Sequence, residues 1–357
     1  MSSTATKFRP APAEADGGQG AVRTLRLDPD DAGQRLDNFL ARLYRDVPRS
    51  HLYRLIRSGQ LRVNGRRRAV DYRLQAGDTI RLPPLREPAA QGATPHDAAA
   101  RAAGGEAVRR DRARLAARLP VLYEDEQLLA IDKPASVAVH GGSGVSSGVI
   151  ERLRAARVQA RFLELVHRLD RETSGVLLVA KTRFAATALT GAFRHRSARK
   201  IYWALVAGVP KPKQGRISTY LAKEENEEDS IMRIAAHGDE GASHAVTYYA
   251  VVETSAQKLA WVSLKPVTGR THQLRAHMAH INHAIVGDPK YFNKENWQLP
   301  GGLQKRLHLL ARRIVIPHPR GGVIDVSAPL PPHMLQSWNL LGLEADRFDP
   351  IENAPEE

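Results

Sequence analysis

The residues of this chain best suited to chemistry are nine in a row, His167-Arg168-Leu169-Asp170-Arg171-Glu172-Thr173-Ser174-Gly175. One carboxylate, Asp170, stands between Arg168 and Arg171. It lies just ahead of Val176-Leu177-Leu178-Val179-Ala180, which reads as a buried strand. An aspartate flanked by cations and anchored by the start of a strand is held in one place as an anion, which suits a lone nucleophile or base. A plainer reading fits the same residues, in which Asp170 ties two loops together through Arg168 or Arg171.

Three further stretches carry reactive side chains. Asp132-Lys133-Pro134 is followed by His140-Gly141-Gly142-Ser143-Gly144. Next comes Arg199-Lys200-Ile201-Tyr202-Trp203-Ala204-Leu205-Val206-Ala207-Gly208, and then Pro266-Val267-Thr268-Gly269-Arg270-Thr271-His272-Gln273-Leu274-Arg275-Ala276-His277. The glycine-rich loop lacks the Lys-Ser/Thr that follows in nucleotide-binding loops, so substrate contact is the better reading than a phosphate cradle. Tyr202 alternates within a strand and, taken alone, fits the core. His272, His277, His280 and His283 raise zinc, but no catalytic carboxylate accompanies them. The chain has no cysteine, hence no thiolate nucleophile, disulfide or cysteine-ligated metal. No metal and no cofactor are expected.

These stretches need elements to position them, and 357 residues allow about two domains. Residues 1–24 are rich in Ala, Gly, Pro and Ser and are expected to be a disordered tail. In residues 25–86, Leu36, Phe39, Leu40 and Leu43 recur at helical spacing. After Pro48, Ser50 would cap a second helix with apolar Leu52, Leu55 and Ile56, ended by Gly59. Leu61-Arg62-Val63, an Asn64-Gly65 turn and Ala76-Gly77-Asp78-Thr79-Ile80-Arg81-Leu82 complete the unit. Residues 87–118 read as an Ala-rich linker. Residues 119–342 alternate short strands with a few helices, at Phe184–Arg194 and Thr271–His280. Strands are expected around 121–123, 128–131, 176–180, 202–206, 246–252 and 259–264. This is an α+β domain around a mixed or antiparallel sheet. Residues 343–357 read as an acidic tail that adds little to the fold.

Charge points to the partner. The chain carries 53 Lys and Arg against 38 Asp and Glu, a net +15. From Gly33 to Arg86 there are 13 arginines, no lysine and 4 acids. Such an excess favours a polyanion, because neutralised phosphates release counterions. No apolar run approaches the roughly 18 residues of a membrane span, and the N-terminus lacks a secretory core. A cytoplasmic address, no membrane partner and a monomer are the default expectations.

The first unit resembles the S4 RNA-binding domain, through Arg35-Leu36-Asp37, Arg49-Ser50, Ile56-Arg57-Ser58-Gly59, Val63-Asn64-Gly65 and Ala76-Gly77-Asp78. That resemblance implies RNA contact by Arg49, Ser50, Arg54, Arg57, Arg66, Arg67 and Arg68. The second resembles the RluA-type pseudouridine synthases, through the His167–Gly175 motif and Thr268-Gly269-Arg270-Thr271-His272-Gln273. Within the family it looks closest to the RluC branch, through His140–Gly144, Gly148-Val149-Ile150-Glu151 and Phe162-Leu163-Glu164-Leu165-Val166.

The resemblance implies isomerisation of uridine to pseudouridine in 23S ribosomal RNA, free or in an assembling large subunit, as a step of rRNA processing and ribosome biogenesis. It implies Asp170 as nucleophile or base, Arg270 as its counter-ion and Tyr202 as the aromatic surface for the freed base. His167, Arg168 and Leu309 would line the pocket, with Arg168 filling the gap left by the flipped base. Where the family often has Leu-His-Ala, this chain has Leu309-Leu310-Ala311, so Leu310 is expected to pack rather than react. Other readings are a synthase acting on a different rRNA or tRNA site, an inactive S4-type ribosome-assembly factor, and a metal-dependent hydrolase built on the histidines.

Overall fold

The structure, a computed structural model, describes residues 23–27, 33–44, 47, 49–83, 111, 114–115, 119–141, 147–160, 162–225, 230–293, 297 and 299–355. Residues 1–22 of the expected tail, nearly all of the expected linker, Pro48 and the loop Gly142–Gly144 lie outside them. The chain divides into two compact units, residues 1–100 and 101–357.

The N-terminal unit pairs two helices with a small antiparallel sheet. Its elements are β1 (Arg23–Arg26), α1 (Leu36–Leu43), α2 (Arg49–Ser58), β2 (Arg62–Val63) and β3 (Thr79–Leu82), with strand order β1-β3-β2. Leu36, Phe39, Leu40, Leu52 and Ile56 turn inward on Val63, Leu74 and Ile80, as their helical spacing requires. The helix α2 already includes Arg49, so Ser50 is its second residue rather than the cap ahead of it. Asn64 (φ 51°) and Gly65 (φ 72°) adopt the two left-handed conformations of a type I′ turn, and Val63 and Arg66 exchange 3.0 Å backbone hydrogen bonds across it.

The C-terminal unit is a mixed sheet with helices on its faces. Its strands are β4 (Val121–Glu124), β5 (Leu128–Lys133), β6 (Glu164–Leu165), β7 (Ser174–Ala180), β8 (Arg199–Ala207), β9 (Gln214–Glu225), β10 (Ser230–Ala235), β11 (Ser243–Ser255), β12 (Leu259–Pro266), β13 (Leu309–Pro317) and β14 (Val323–Ser327). Its helices are α3 (Val149–Ala156), α4 (Arg183–Arg194), α5 (Gln273–His280) and α6 (Pro332–Leu341). The main path runs β10-β9-β11-β12-β8-β13-β7-β5-β4, with β14 beside β13 and β6 beside β7. Among the described ladders, β13 with β7 is the parallel one.

That central strand gathers the sequence motifs into one row. Lys133 of β5 pairs with Gly175 of β7, Gly175 with Ala311 of β13, Ala311 with Tyr202 of β8, and Tyr202 with Leu264 of β12. Directly opposed residues share a face of the sheet. On that face one apolar cluster gathers around Leu129, Ile131, Leu177 and Val179, and a second around Ala204, Val262 and Leu264. Tyr202 packs against both. The opposite face carries the larger core, in which Trp203, Trp261 and Trp338 meet edge to face. Leu310 is buried in that core, a packing role as expected.

Gly175 explains why the motif ends in glycine. Its φ is +110°, and a Cβ there would sit 2.3 Å from the Ala311 carbonyl oxygen. Only glycine lets β7 approach β13 so closely in this conformation.

The segment after residue 343 departs from the expected tail. Leu343 and Ile351 belong to the core beneath the tryptophans. The buried Asp349 accepts hydrogen bonds from Trp203 Nε1 (2.9 Å) and Ser263 Oγ (2.7 Å). Glu352 pairs with Arg199 and Arg313, so its charge is spent on the sheet rather than on solvent.

Candidate active site

The loop that carries Asp170 is fixed from three sides. His167 Nε2 accepts the backbone N–H of Leu178 at 2.9 Å, and its ring stacks on Phe193 at 4.6 Å. Burial pushes this imidazole down to about 3, so it is a neutral anchor. The buried Lys133 donates to the carbonyls of Pro134 (2.9 Å), Val137 (2.8 Å) and Arg171 (3.0 Å). One ammonium thus ties the Asp132-Lys133-Pro134 motif to the residue after Asp170. Burial draws it down to about 7 against the opposing pull of Glu172, Asp170 and Asp132. Leu169 fills the apolar cluster beneath, and the Thr173 N–H closes a turn on the Asp170 carbonyl.

Asp170 opens onto a cleft of about 520 Å³, within the size range of a nucleotide-scale pocket. Asp170, Tyr202, Arg270, Arg168, His167 and Leu309 all line it. The cation beside the carboxylate is Arg275, whose Nη1 lies 3.5 Å from Asp170 Oδ2. Its Nε and Nη2 are locked on Asp288, each bond 2.7 Å. Arg270 does not take the expected counter-ion position. Its Nε donates to the His244 carbonyl at 3.1 Å.

The reason is local backbone. The helix α5 starts at Gln273, two residues later than expected, and His272 ahead of it is left-handed (φ 49°, ψ 18°). Arg270 therefore lies in the turn, not on the helix. Gln273 locks that turn: its Oε1 accepts from Thr268 Oγ1 (2.7 Å) and the Arg270 N–H (3.0 Å), and its Nε2 donates to the Val246 carbonyl (2.9 Å). Arg275 projects from the buried part of α5.

Tyr291 and Asp288 join the site with no sequence signal, and His272, which the sequence raised only as a zinc ligand, stands there beside Asp170. His272 Nε2 is 3.9 Å from Asp170 Oδ2, and its Nδ1 meets Tyr291 Oη at 3.2 Å. Burial lowers its pKa, opposed by Asp170. Burial also lifts the Tyr291 hydroxyl to about 12. Tyr202 is lifted above its ordinary range, by burial first and by the charge of Asp170 second. The phenol therefore keeps its proton and offers a ring and an O–H. The histidines do not converge: His277 contacts Thr247 and Thr219, and His283 the Ala207 carbonyl. No cluster of three or more metal-ligating side chains occurs among the described residues.

In the N-terminal unit, Arg54, Arg57, Arg66 and Arg67 are exposed. Arg68 is partly buried, its guanidinium 4.5 Å over the Tyr72 ring. The side chains of Arg49 and Ser50 lie outside the described residues.

Residues 127–280 match the family described as RNA pseudouridylate synthase, and residues 34–80 match the S4 domain. A protein of Vibrio parahaemolyticus named Ribosomal large subunit pseudouridine synthase C is 39% identical over 312 residues, which are 87% of this chain and 93% of that one. The Escherichia coli protein of the same name is 40% identical over 318 residues, with the same coverage of 87% and 93%. Among solved structures, the chain is similar to Human RNA Pseudouridylate Synthase Domain Containing 4, at 28% identity and a TM-score of 0.56. That match covers 66% of this chain and 98% of the human one.

Proposed function

The chain belongs to the RNA pseudouridylate synthase family, and on that footing we propose that it isomerises specific uridines of 23S ribosomal RNA, free or in an assembling large subunit. The observation that carries the site assignment is Asp170 in the cleft, with Arg275 at 3.5 Å and Tyr202 on the same wall.

The target nucleotide leaves its helix to reach Asp170. The carboxylate then acts at the sugar, either attacking the anomeric carbon or removing the neighbouring ring proton. The N1–C1′ bond breaks, the uracil turns, and C5 bonds to C1′ as the carboxylate leaves that carbon in the first case or the proton returns to C2′ in the second. The C5 proton leaves and N1 gains one, so the product is an isomer and the cycle consumes nothing. Tyr202 gives the freed base a surface. Because its hydroxyl keeps its proton, it serves as a ring and a donor rather than as an anionic base. Arg168 is exposed at the rim of the cleft, a place from which it can enter the gap left by the flipped base. His167 acts through the backbone it anchors, and Leu309 through apolar contact.

Arg270, with its guanidinium on the cleft wall and away from Asp170, is assigned to RNA contact rather than to the chemistry. The exposed arginines of the N-terminal unit, with Arg49 and Ser50, supply docking to structured RNA. Under this reading the chain acts in the cytoplasm without a metal, with a monomer as the default state.

The test maps pseudouridine in total RNA from cells with and without this protein, and assays the purified chain on 23S rRNA. Loss of defined large-subunit sites in the deletion, restored by the wild type and not by Asp170→Ala, is the expected result. Unchanged pseudouridine in the deletion strain would point instead to an inactive assembly factor.

A further inference from the structure

Two lysines stand beside the Asp170 cleft, Lys133 beneath its loop and Lys200 on its lining, and they differ in one respect. Lys133 spends its three protons on three carbonyls. Lys200 has no hydrogen-bond or ion-pair partner among the described residues. It stands two residues before Tyr202 on β8, hence on the same face of the sheet, and lines the same cleft. Its nearest charged influence is another cation, Arg196, and burial with that repulsion draws its pKa down to about 8. Lys200 is half-buried and opens to the cleft with no acceptor among the described residues, so an anion that enters the cleft meets a cation not already paired.

The surroundings specify the anion's sign and place. Arg168, Arg194, Arg196, Lys200, Arg270 and Arg275 line the cleft against one carboxylate, Asp170. Arg194 closes α4 and Arg196 follows it in a left-handed conformation (φ 60°). The Ser197 N–H closes that helix end on the Ala192 carbonyl at 3.0 Å, so the left-handed Arg196 is the residue at which the chain leaves α4. Lys200 also borders a second, small depression that Arg196 and Arg199 share. Along β8, Lys200 and Tyr202 are about 7 Å apart, a separation comparable to that between a nucleobase and its own backbone phosphate.

We infer that Lys200, with Arg194 and Arg196, forms a phosphate subsite inside the catalytic cleft that takes the RNA backbone phosphate adjoining the flipped uridine. Lys200 is then a positioning residue. It fixes the sugar over Asp170 by holding the phosphate while Tyr202 holds the base. The inference rests on RNA being the substrate, as proposed above.

The test uses the full chain and a 23S rRNA transcript. Binding is measured over a series of KCl concentrations and single-turnover pseudouridine formation at saturating RNA, for wild type, Lys200→Met, Lys200→Arg and Arg196→Gln. Methionine keeps the apolar stem, so the thermal midpoint should hold. Loss of one phosphate contact should weaken binding about tenfold at low salt and make the slope of log Kd against log salt shallower by about one. Lys200→Arg should recover most of the affinity. Arg196→Gln, at an exposed position, should shift the slope in the same direction and keeps the test available if Lys200→Met does not fold.

Wild-type affinity and slope in both Lys200→Met and Arg196→Gln would overturn the subsite. Absence of pseudouridine with the wild-type chain would instead overturn the function proposed above, and the salt slopes would still decide the role of Lys200.

Discussion

Arg275 reaches Asp170 with one nitrogen, at 3.5 Å, while its other edge is locked on Asp288 by two 2.7 Å bonds. The cation at the site is thus held by a second carboxylate and cannot follow the substrate. Asp288 is held in turn by the backbone N–H groups of Lys290 and Tyr291. Preorganised charge of this kind does its work without reorganising during the reaction.

Breaking that chain should separate chemistry from stability. Asp170→Ala is expected to abolish pseudouridine formation, with the thermal midpoint and RNA binding kept, because Asp170 is partly open to the cleft. Arg275→Met should lose activity and also about 3–5 kcal/mol of stability, since it strands Asp288 in the interior. Arg270→Ala should leave stability within about 0.5 kcal/mol, because its guanidinium lies at the surface. Denaturant unfolding and turnover of the three variants check this. An Arg270→Ala variant as unstable as Arg275→Met would reverse the assignment.

Two neighbouring positions of the Asp170 motif should respond in opposite ways. Gly175→Ala places a methyl group against the Ala311 carbonyl in a conformation that disfavours any side chain. It should cost more than about 2 kcal/mol, the strain being ~1–3 kcal/mol before the clash is counted, and lower turnover by moving the strand behind Asp170. Ser174→Ala removes a buried hydroxyl that has no hydrogen-bond partner among the described residues, so it should be neutral or stabilising. Chemical denaturation of both variants distinguishes them.

The reach of sequence reasoning follows from how each contact is made. Asp170, Tyr202 and Leu309 are legible because each sits in a local motif, and β13 then brings the motifs to one row. Arg275 is not legible as the counter-ion, because the left-handed turn at His272 decides which arginine faces inward. In α5, Gln273, Arg275 and His277 are all buried, with partners at Val246, Asp288 and Thr247 far away in the chain. The helix itself is expected from the sequence, but no apolar periodicity announces that these polar residues form its buried face. The strands β9 and β10 and the helix α6 are missed for related reasons: mixed polar composition in the first two, and a helix opened by proline in the third. Net charge misleads at the C-terminus, where Glu352 is paired and Ile351 is core.

Acid should destabilise the protein in a defined window. Burial holds His277 and His308 down at about 4, below the 6.5 of an unfolded chain. Between these values the unfolded chain takes up protons that the folded one refuses. Stability is therefore whole above pH 6.5 and falls as the pH drops toward 4, by about 1.4 kcal/mol per pH unit for each group. Thermal midpoints measured from pH 7 to 4 should show the decline, and His308→Asn should flatten it by one proton's worth. An unaltered slope in that variant would remove His308 from the account.

The C-terminal segment should prove structural rather than catalytic. Asp349 receives Trp203 Nε1, Ser263 Oγ and the Ile351 N–H within the core. Asp349→Ala leaves the first two as buried donors without an acceptor, at about 1–3 kcal/mol each. The indole it releases belongs to Trp203, next along β8 to Tyr202 but on the opposite face, so the loss should register first in packing. The expected result is a lowered thermal midpoint and a weakened near-ultraviolet tryptophan signal, with turnover well below that midpoint within about threefold of wild type. Asp349→Asn, which keeps an acceptor oxygen, should recover part of the stability. A variant that kept its midpoint but lost turnover would instead connect the segment to the chemistry through β8.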